Sequence, residues 1–216
     1  MVTIPKYQYS VDKASKVSIC IPVRDQVTST FTYCLAMLMK RCGEKNINVT
    51  LNMVMGREVA MQRQQLVTEA LETNCTHLLW LDSDMKFPAD TLDALLSADT
   101  PIVAGNYSTR VKPHRPVAFK DPNNLDTRVF TGNGLEEVHA VGSGLMLVKR
   151  EVYEKIALPH YSVEWNEDYT SLVGEDIYFC NQAQKNGYTI YVDHDVSKKI
   201  AHIGTKAYTI KDDCYD

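Results

Sequence analysis

Apolar runs and helix-like spacings alternate along the first half of the chain. Strands are predicted by an apolar run rich in β-branched residues at 17–23, an alternating run at 47–54 and short apolar runs at 77–81 and 101–104. Apolar residues three and four positions apart predict the intervening helices, at 28–40, 57–71 and 88–96, with Gly43 as the stop signal of the first. This β-α-β-α-β-α-β order predicts an α/β fold with a mainly parallel central sheet and helices on both faces.

The second half of the chain has a less regular pattern. Turn residues separate predicted short strands at 117–120 and 128–131, and an apolar strand is predicted at 138–148. An amphipathic helix follows at 175–186, and the last clear strand is at 190–192. Because no repeat or linker interrupts the pattern, we expect one domain over 1–216 with a small β-rich second half.

Composition narrows the class of protein without indicating a reaction. The 216 residues include 23 Lys and Arg against 27 Asp and Glu, a net charge of −4 at pH 7, whereas nucleic-acid-binding domains are usually basic. No apolar run approaches the roughly 18 residues of a transmembrane helix, and residues 1–15 lack the core of a signal peptide. The six cysteines form no C-x-x-C pair, which favours reduced, buried thiols. We therefore expect a soluble, cytoplasmic protein with no membrane span and no nucleic-acid polymer as partner.

Two carboxylates follow the third predicted strand. Asp82 and Asp84 flank Ser83 immediately after 77–81, and open α/β sheets bind ligands at the carboxyl ends of their strands. Carboxylates at that place suit Mg²⁺ or Mn²⁺ bridging a diphosphate, because these ions keep open positions for phosphate oxygens. The alternative is that the pair caps the following helix.

Further polar and glycine-containing segments accompany this motif. In chain order they are Pro22, Arg24 and Asp25 after the first strand, Arg63 in the second helix, Gly142-Ser143-Gly144 in an apolar strand, Gly174-Glu175-Asp176 at a helix start and His202 after the last strand. With Asp82-Ser83-Asp84, this order resembles the GT-A class of nucleotide-sugar glycosyltransferases over nearly the whole chain. The resemblance is strongest to glycosyltransferase domains of phages and large DNA viruses, particularly the N-terminal domain of a multidomain chlorella-virus protein. Arg63 matches the Arg of the family's Ala-Arg-Asn segment, whereas Gln62 and Gln64 replace its neighbours.

The resemblance implies a donor site and a metal site. The residues that it implies for a UDP-sugar are Pro22, Arg24, Asp25, Arg63, Asp82, Ser83, Gly142, Ser143 and Gly144. Glycines within a strand let a sugar or phosphate approach the backbone closely, and a β-bulge is the alternative explanation. Asp84 is the first choice as a direct ligand to Mn²⁺ or Mg²⁺, with His202 as a further ligand and Asp82 contacting the ribose or a metal-bound water. The nucleotide-binding half then spans about 15–105, and the half for donor sugar and acceptor about 106–210.

The resemblance also implies an inverting transfer to an acceptor hydroxyl. Such a transfer needs a general base that takes the proton of the hydroxyl. The resemblance favours Asp176 as this base, with Glu175 orienting the acceptor or the donor sugar. Alternatively, both acids stabilise the positive end of their helix. The expected acceptor is a glycan or a protein-linked sugar, bound by the aromatic and acidic segment 161–170.

Other interpretations remain open from the sequence. The basic residues at 110–115 would meet the diphosphate, bind an anionic acceptor or form a solvated loop. A sugar-nucleotide nucleotidyltransferase also pairs acids around Mg²⁺, but residues 24–28 lack the glycines that cradle a triphosphate. An inactive sugar- or nucleotide-binding domain is a third possibility, against which the combination of Asp84, Asp176 and His202 argues. A viral protein would act in the host cytoplasm, and further domains of a longer polypeptide are compatible with this chain.

Overall fold

Strands and helices alternate along the chain in a computed structural model that describes residues 15–121, 124, 127–166 and 168–204. The strands are β1 (Lys16–Val23), β2 (Asn48–Met55), β3 (His77–Leu81), β4 (Met85–Lys86), β5 (Ile102–Ala104), β6 (Ala118–Phe119), β7 (Leu135–Val138), β8 (Ala140–Val141), β9 (Leu145–Lys149), β10 (Glu164–Trp165), β11 (Leu172–Val173), β12 (Ile190–Asp193) and β13 (Ala201–His202). The helices are α1 (Ser29–Lys45), α2 (Val59–Leu71), α3 (Thr91–Ser97), α4 (Arg150–Lys155), α5 (Glu175–Lys185) and α6 (His194–Ser197).

The central sheet of the described ranges has seven strands in the order β2-β1-β3-β9-β5-β12-β7. β1 pairs in parallel with both β2 and β3, and β5 pairs in parallel with β12. β9 is antiparallel to β3 and β5, and β7 is antiparallel to β12. Five strands therefore share one direction, and the predicted mainly parallel α/β sheet of the Rossmann-like GT-A type is confirmed. The carboxyl ends of β1 and β3 open at the same edge because these strands are parallel neighbours.

Hydrophobic cores lie on both faces of the sheet. Consecutive residues of β1 contribute to different cores, Ile19 to one and Cys20 to the other. α1 adds Phe31 to the first core, whereas α2 and α5 add Leu66 and Phe179 to the second. Burying one such side chain contributes about 1.5–3 kcal/mol. Helices therefore cover both faces, as the sequence pattern predicts, and fix the strands whose ends carry the site.

The first helix is longer than its sequence pattern predicts. Thr28 is its N-cap, and the Thr28 hydroxyl accepts the Phe31 N–H at 3.1 Å. The helix continues through Gly43 to Lys45 and ends at Asn46, whose φ is 56°. The prediction that Gly43 marks the stop is wrong, because Asn46 supplies the left-handed residue that ends the helix.

The apolar run at 138–148 is not one strand. It is divided among β7, β8 and β9, of which β8 pairs with β6 while β9 joins the central sheet. Gly142-Ser143-Gly144 makes the break, since it lies between β8 and β9. The predicted strand at 128–131 is also wrong: it is reduced to a single bridge between Arg128 and Phe119. The second half is β-rich, as predicted, but its strands are shorter.

The described cysteines are buried free thiols, as predicted: Cys20, Cys34, Cys42, Cys75 and Cys180. Burial raises the pKa of the Cys20 thiol to about 12, which keeps it neutral and unreactive. Cys214 lies outside the described residues. Among the described helices, none combines the length and the apolar character needed to cross a bilayer.

Candidate active site

A cleft of about 390 Å³ opens at the carboxyl ends of β1 and β3. Its lining comes from those two strand ends, the start of α2 and two later segments: Pro22, Arg24, Arg57, Glu58, Val59, Gln62, Asp82, Ser83, Asp84, Arg110 and His202. Pro22, Arg24 and the acidic motif therefore meet His202 at the edge where open α/β sheets bind ligands. Asp25 is exposed and is not part of this lining.

Hydrogen bonds hold the acidic loop, residues 82–84 between β3 and β4, against its neighbours. The Asp82 N–H donates to the Gly144 carbonyl oxygen at 2.9 Å, and the Thr28 N–H donates to the Ser83 carbonyl oxygen at 3.2 Å. The Ser83 hydroxyl donates to the Gln26 carbonyl oxygen at 3.2 Å. The loops after β1 and β3 and the turn before β9 are thereby joined into one wall.

The two glutamines that flank Arg63 in α2 have structural partners. Gln62 is buried, and its Nε2 donates to the carbonyl oxygens of Val23 at 3.0 Å and Arg57 at 2.7 Å. Gln64 Oε1 accepts the His160 N–H at 2.8 Å. Gln62 therefore ties the end of β1 to the start of α2, which fixes one side of the cleft.

Asp84 and His202 face each other although they are far apart in the sequence. β13 pairs with β4, and the Ile203 N–H donates to the Asp84 carbonyl oxygen at 2.7 Å. Asp84 Oδ1 lies 3.3 Å from His202 Nε2, and Asp84 Oδ2 lies 2.7 Å from Arg110 Nη1. Burial alone would raise the pKa of Asp84, but its hydrogen bond with His202 and the charge of Arg110 lower it. The carboxylate is therefore ionised and available to a cation.

His202 lies between the Ser108 carbonyl oxygen and Asp84. Its Nδ1 lies 3.2 Å from the Ser108 carbonyl oxygen, which can only accept, so we assign a proton to Nδ1. Its Nε2 lies 3.3 Å from Asp84 Oδ1 and is the ring nitrogen left for a cation, which would replace a proton there when it binds. Metal-binding histidines commonly donate their other N–H to a backbone carbonyl in this way. The Asp84–His202 pair therefore fits Mn²⁺ or Mg²⁺ when phosphate oxygens supply further ligands.

The three predicted metal ligands do not form one cluster. Within the described ranges, no group of three His, Cys, Asp or Glu side chains converges to hold a metal ion. The Asp82 carboxylate turns instead to Arg63, with 2.8 Å between Oδ1 and Nη2. The described side chains thus offer two candidate ligands, Asp84 and His202. The charge of the neighbouring Asp82 is already balanced by Arg63.

Arg63 is a buried cation between the acidic loop and α5. Only 2 % of its side chain is exposed, and its Nε lies 3.3 Å from Glu175 Oε1. The guanidinium also lies over the rings of Trp80 and Tyr161, at 5.2 and 5.9 Å. Burial alone would lower the pKa of Arg63, but Asp82 and Glu175 together raise it. Arg63 therefore stays charged and connects the end of β3 to the start of α5.

Glu175 and Asp176 share the first turn of α5 but differ in their surroundings. Glu175 pairs with Arg63, whereas no basic side chain of the described residues forms an ion pair with Asp176. Asp176 Oδ1 accepts the Ile177 N–H at 2.8 Å. Burial and the nearby charge of Glu175 raise the pKa of Asp176 to about 6. Such a pKa, close to neutral pH, suits a general base.

Tyr107 occupies the space above the glycines of the β8–β9 turn. The Gly144 N–H donates to Tyr107 Oη at 3.0 Å. A Cβ would lie 2.6 Å from this oxygen at Gly142 and 2.5 Å from it at Gly144, so neither position has room for a larger residue. From the sequence, we expect a sugar or phosphate to approach these glycines closely. In the structure the group that approaches Gly142 and Gly144 is Tyr107 of the chain itself. Ser143, between the two glycines, is buried.

Sequence reasoning missed Tyr107 and left Arg110 undecided. Tyr107 follows β5 in a loop, where no hydrophobic period marks a functional side chain. Of the basic residues at 110–115, Arg110 alone lines the cleft. The only local signal for either residue is its place just after a strand that ends at the same sheet edge.

The segment 161–170 does not present all its aromatic residues to a ligand. Tyr161 is buried, stacked on Phe179 with 5.1 Å between ring centroids, and its hydroxyl lies 2.8 Å from that of Tyr153. Its expected place in an acceptor site is therefore wrong, because it completes the core beneath Arg63. Trp165 and Tyr169 are exposed on the hairpin of β10 and β11.

Comparison with known proteins gives a relation at the level of the fold. No protein-family model matches this chain, and no curated protein has a similar sequence. Among solved structures, the chain is similar to A197 from STIV, with a TM-score of 0.51 and 18 % identity, over 90 % of this chain and 97 % of that one. The likeness is one of fold. The chemistry of the site must therefore be argued from its own residues.

Proposed function

We propose that this chain is a metal-dependent, inverting glycosyltransferase that moves a sugar from a UDP-sugar to an acceptor hydroxyl on a glycan or a protein-linked sugar. The observation that carries the proposal is the position of Arg63, which contacts both Asp82 and Glu175. This buried cation links the loop that carries Asp82 and Asp84 to the start of α5, which carries the candidate base Asp176.

The donor fits the cleft between the end of β1 and the acidic loop. Pro22, Arg24 and Ser83 line the part that would receive the nucleoside. Asp84 and His202 would hold Mn²⁺ or Mg²⁺ beside the diphosphate. A divalent cation at this place withdraws negative charge from the leaving diphosphate. Asp82, held by Arg63, would accept a hydrogen bond from a ribose hydroxyl or from a metal-bound water.

Asp176 is the group that takes the proton of the acceptor hydroxyl. With a pKa of about 6, its carboxylate is mostly ionised at neutral pH yet basic enough to accept a proton. Glu175 is bound to Arg63 and is therefore less free to act as a base, but it can orient the sugar through its second oxygen. The Gly144 carbonyl oxygen accepts the Asp82 N–H, so the turn at 142–144 is joined to the loop that carries Asp82.

Hydrolysis of nucleotide sugars with Mn²⁺ tests the proposal. We expect UDP release from one UDP-sugar of a panel, and a loss of about 100-fold or more in Asp84→Ala, because the leaving group then lacks its counter-charge. Glu44→Ala, which removes an exposed carboxylate of α1 that is outside the cleft lining, is the control and should leave the rate unchanged.

Other outcomes of this assay would contradict the proposal. Pyrophosphate release from a nucleoside triphosphate and a sugar phosphate would indicate a nucleotidyltransferase. Binding of UDP-sugars without turnover, with or without an acceptor, would indicate a binding domain. An undiminished rate in Asp84→Ala would remove Asp84 from the metal site.

A further inference from the structure

Arg110 lies in the wall between two cavities. Besides the cleft of about 390 Å³, a second cavity of about 640 Å³ opens behind it, and Arg110 and His202 line both. Tyr107 lines the second cavity and packs edge-on against His202, with 5.3 Å between ring centroids. A movement of the Arg110 side chain therefore has open space on either side.

Arg110 holds Asp84 by a single guanidinium nitrogen. Nη1 lies 2.7 Å from Asp84 Oδ2 and 3.5 Å from the Ile203 carbonyl oxygen. In the described ranges, Nε and Nη2 of Arg110 make no hydrogen bond to the protein, and half of the side chain is exposed. An ion pair of this kind is weak because water screens it. Arg110 can therefore leave Asp84 at little cost when a stronger partner for either group is present.

A divalent cation and a diphosphate are such partners. A cation bound by Asp84 and His202 would compete with the guanidinium, since both are positive and both would contact the same carboxylate. A diphosphate offers several oxygens to the two free edges of the guanidinium, which match phosphate geometry in a way that one carboxylate oxygen does not.

We propose that Arg110 is a positioning residue that exchanges partners: it neutralises Asp84 until a divalent cation binds there, and then holds the diphosphate of the donor. This inference rests on the proposed function, because it takes the donor to be a nucleotide diphosphate. Arg110 thereby keeps the acidic loop neutral before binding and adds a positive charge to the leaving group afterwards.

The proposal predicts effects of opposite sign in one variant. In Arg110→Ala, Mn²⁺ alone should bind several-fold more tightly, about 3- to 10-fold, because its competitor at Asp84 is gone. UDP should bind about 10-fold more weakly at saturating Mn²⁺, because a charge-assisted contact to phosphate is lost. The first affinity is measured from the free-ion signal in electron paramagnetic resonance, and the second by calorimetry.

Arg115→Ala is the matched control, since Arg115 belongs to the same basic segment but lines neither cavity. It should change neither affinity, and uridine binding should be equal in all three proteins. If both affinities fall together in Arg110→Ala, Arg110 is merely structural and the inference is overturned. Unchanged UDP affinity in Arg110→Ala overturns it as well. If the wild-type protein binds neither Mn²⁺ nor UDP, the proposed function itself fails, and this distinguishes the two failures.

Discussion

Asp176 and Glu175 show how neighbouring carboxylates of similar chemistry acquire different properties. The Glu175 side chain reaches Arg63, so its charge is compensated inside the protein. Asp176 has no such ion pair among the described residues, and burial together with the charge of Glu175 raises its pKa to about 6. The assignment of Asp176 as base and Glu175 as an orienting group thus has a physical basis in the placement of one arginine.

The raised pKa of Asp176 predicts a pH-dependent stability. Because the folded-state pKa of about 6 exceeds the ordinary value of 3.8, folding favours the protonated form. The stability from this group is present below pH about 4 and is lost as the pH rises through about 6. Asp176→Asn cannot ionise, so its free energy of unfolding should exceed that of the wild type by up to about 3 kcal/mol at pH 8 and by little at pH 4. Urea unfolding at both pH values measures the difference.

Glu175→Gln is the control for this prediction and should have the opposite effect. It removes one of the two anionic partners of a buried guanidinium, which destabilises the protein at pH 8. A stability difference for Asp176→Asn that stays constant between pH 4 and pH 8 would show that Asp176 titrates normally.

At the scale of elements, the site depends on close packing between the β8–β9 turn and the segment after β5. Tyr107 Oη accepts the Gly144 N–H, while the Gly144 carbonyl oxygen accepts the Asp82 N–H. One glycine thus connects a tyrosine on one side to the acidic loop on the other. The strand break at 142–144, which the apolar pattern does not predict, is what allows this connection.

Gly144→Ala should therefore be destabilising, by about 1–3 kcal/mol. Its Cβ would lie 2.5 Å from Tyr107 Oη and 2.9 Å from Asp82 Oδ2. The cost should fall by at least about 1 kcal/mol in a Tyr107→Ala background, because the main obstacle is then absent. Thermal or urea unfolding of the four proteins of this cycle measures the coupling.

Gly43→Ala provides the comparison within a helix. Nothing lies within 4 Å of a Cβ at Gly43, which sits inside α1. This variant should be more stable by about 0.5–1 kcal/mol, because alanine favours helix more than glycine does. For the glycine turn, equal destabilisation by Gly144→Ala in the wild-type and Tyr107→Ala backgrounds would refute the argument that Tyr107 packs against Gly144.

At the scale of the whole molecule, charges distant in the sequence are paired at one edge of the sheet. Arg63 pairs with Asp82 and Glu175, and Arg110 pairs with Asp84. The net charge of −4 therefore does not describe the surface that a phosphate-bearing ligand would meet. The cleft lining includes Arg24, Arg57 and Arg110 as well as acidic residues, so the overall acidity is compatible with binding such a ligand.

Ligand binding at this edge should stabilise the fold as a whole, because it joins the loops after β1, β3 and β5. With Mn²⁺ present throughout, UDP at about 100 times its dissociation constant should add about 2.7 kcal/mol, or several degrees in Tm. Asp84→Ala should abolish this shift, and Glu44→Ala, a change on the exposed face of α1, should keep it. Differential scanning fluorimetry measures both, and a shift retained in Asp84→Ala would place the ligand elsewhere.

The periodicity of the sequence predicts most of the first half and less of the second. Strands and helices there alternate in long, regular blocks, and α1 differs from its prediction mainly because Asn46, rather than Gly43, ends it. In the second half the elements are short: β8 has two residues, and its partner β6 lies in a separate small sheet. A two-residue strand has no period to detect, so its existence depends on the partner it meets.

The sequence by itself determines the order of elements, the two cores and the place of the acidic motifs at strand and helix ends, because these follow from local hydrophobic spacing. The tertiary structure alone decides which charges meet. Arg63 contacts a carboxylate 112 positions away, and Asp84 lies opposite His202. Such contacts have no local signature, because they arise where parallel strands end at a common edge. Their geometry pairs Arg63 with Asp82 and with Glu175, and it brings Tyr107 against the glycine turn.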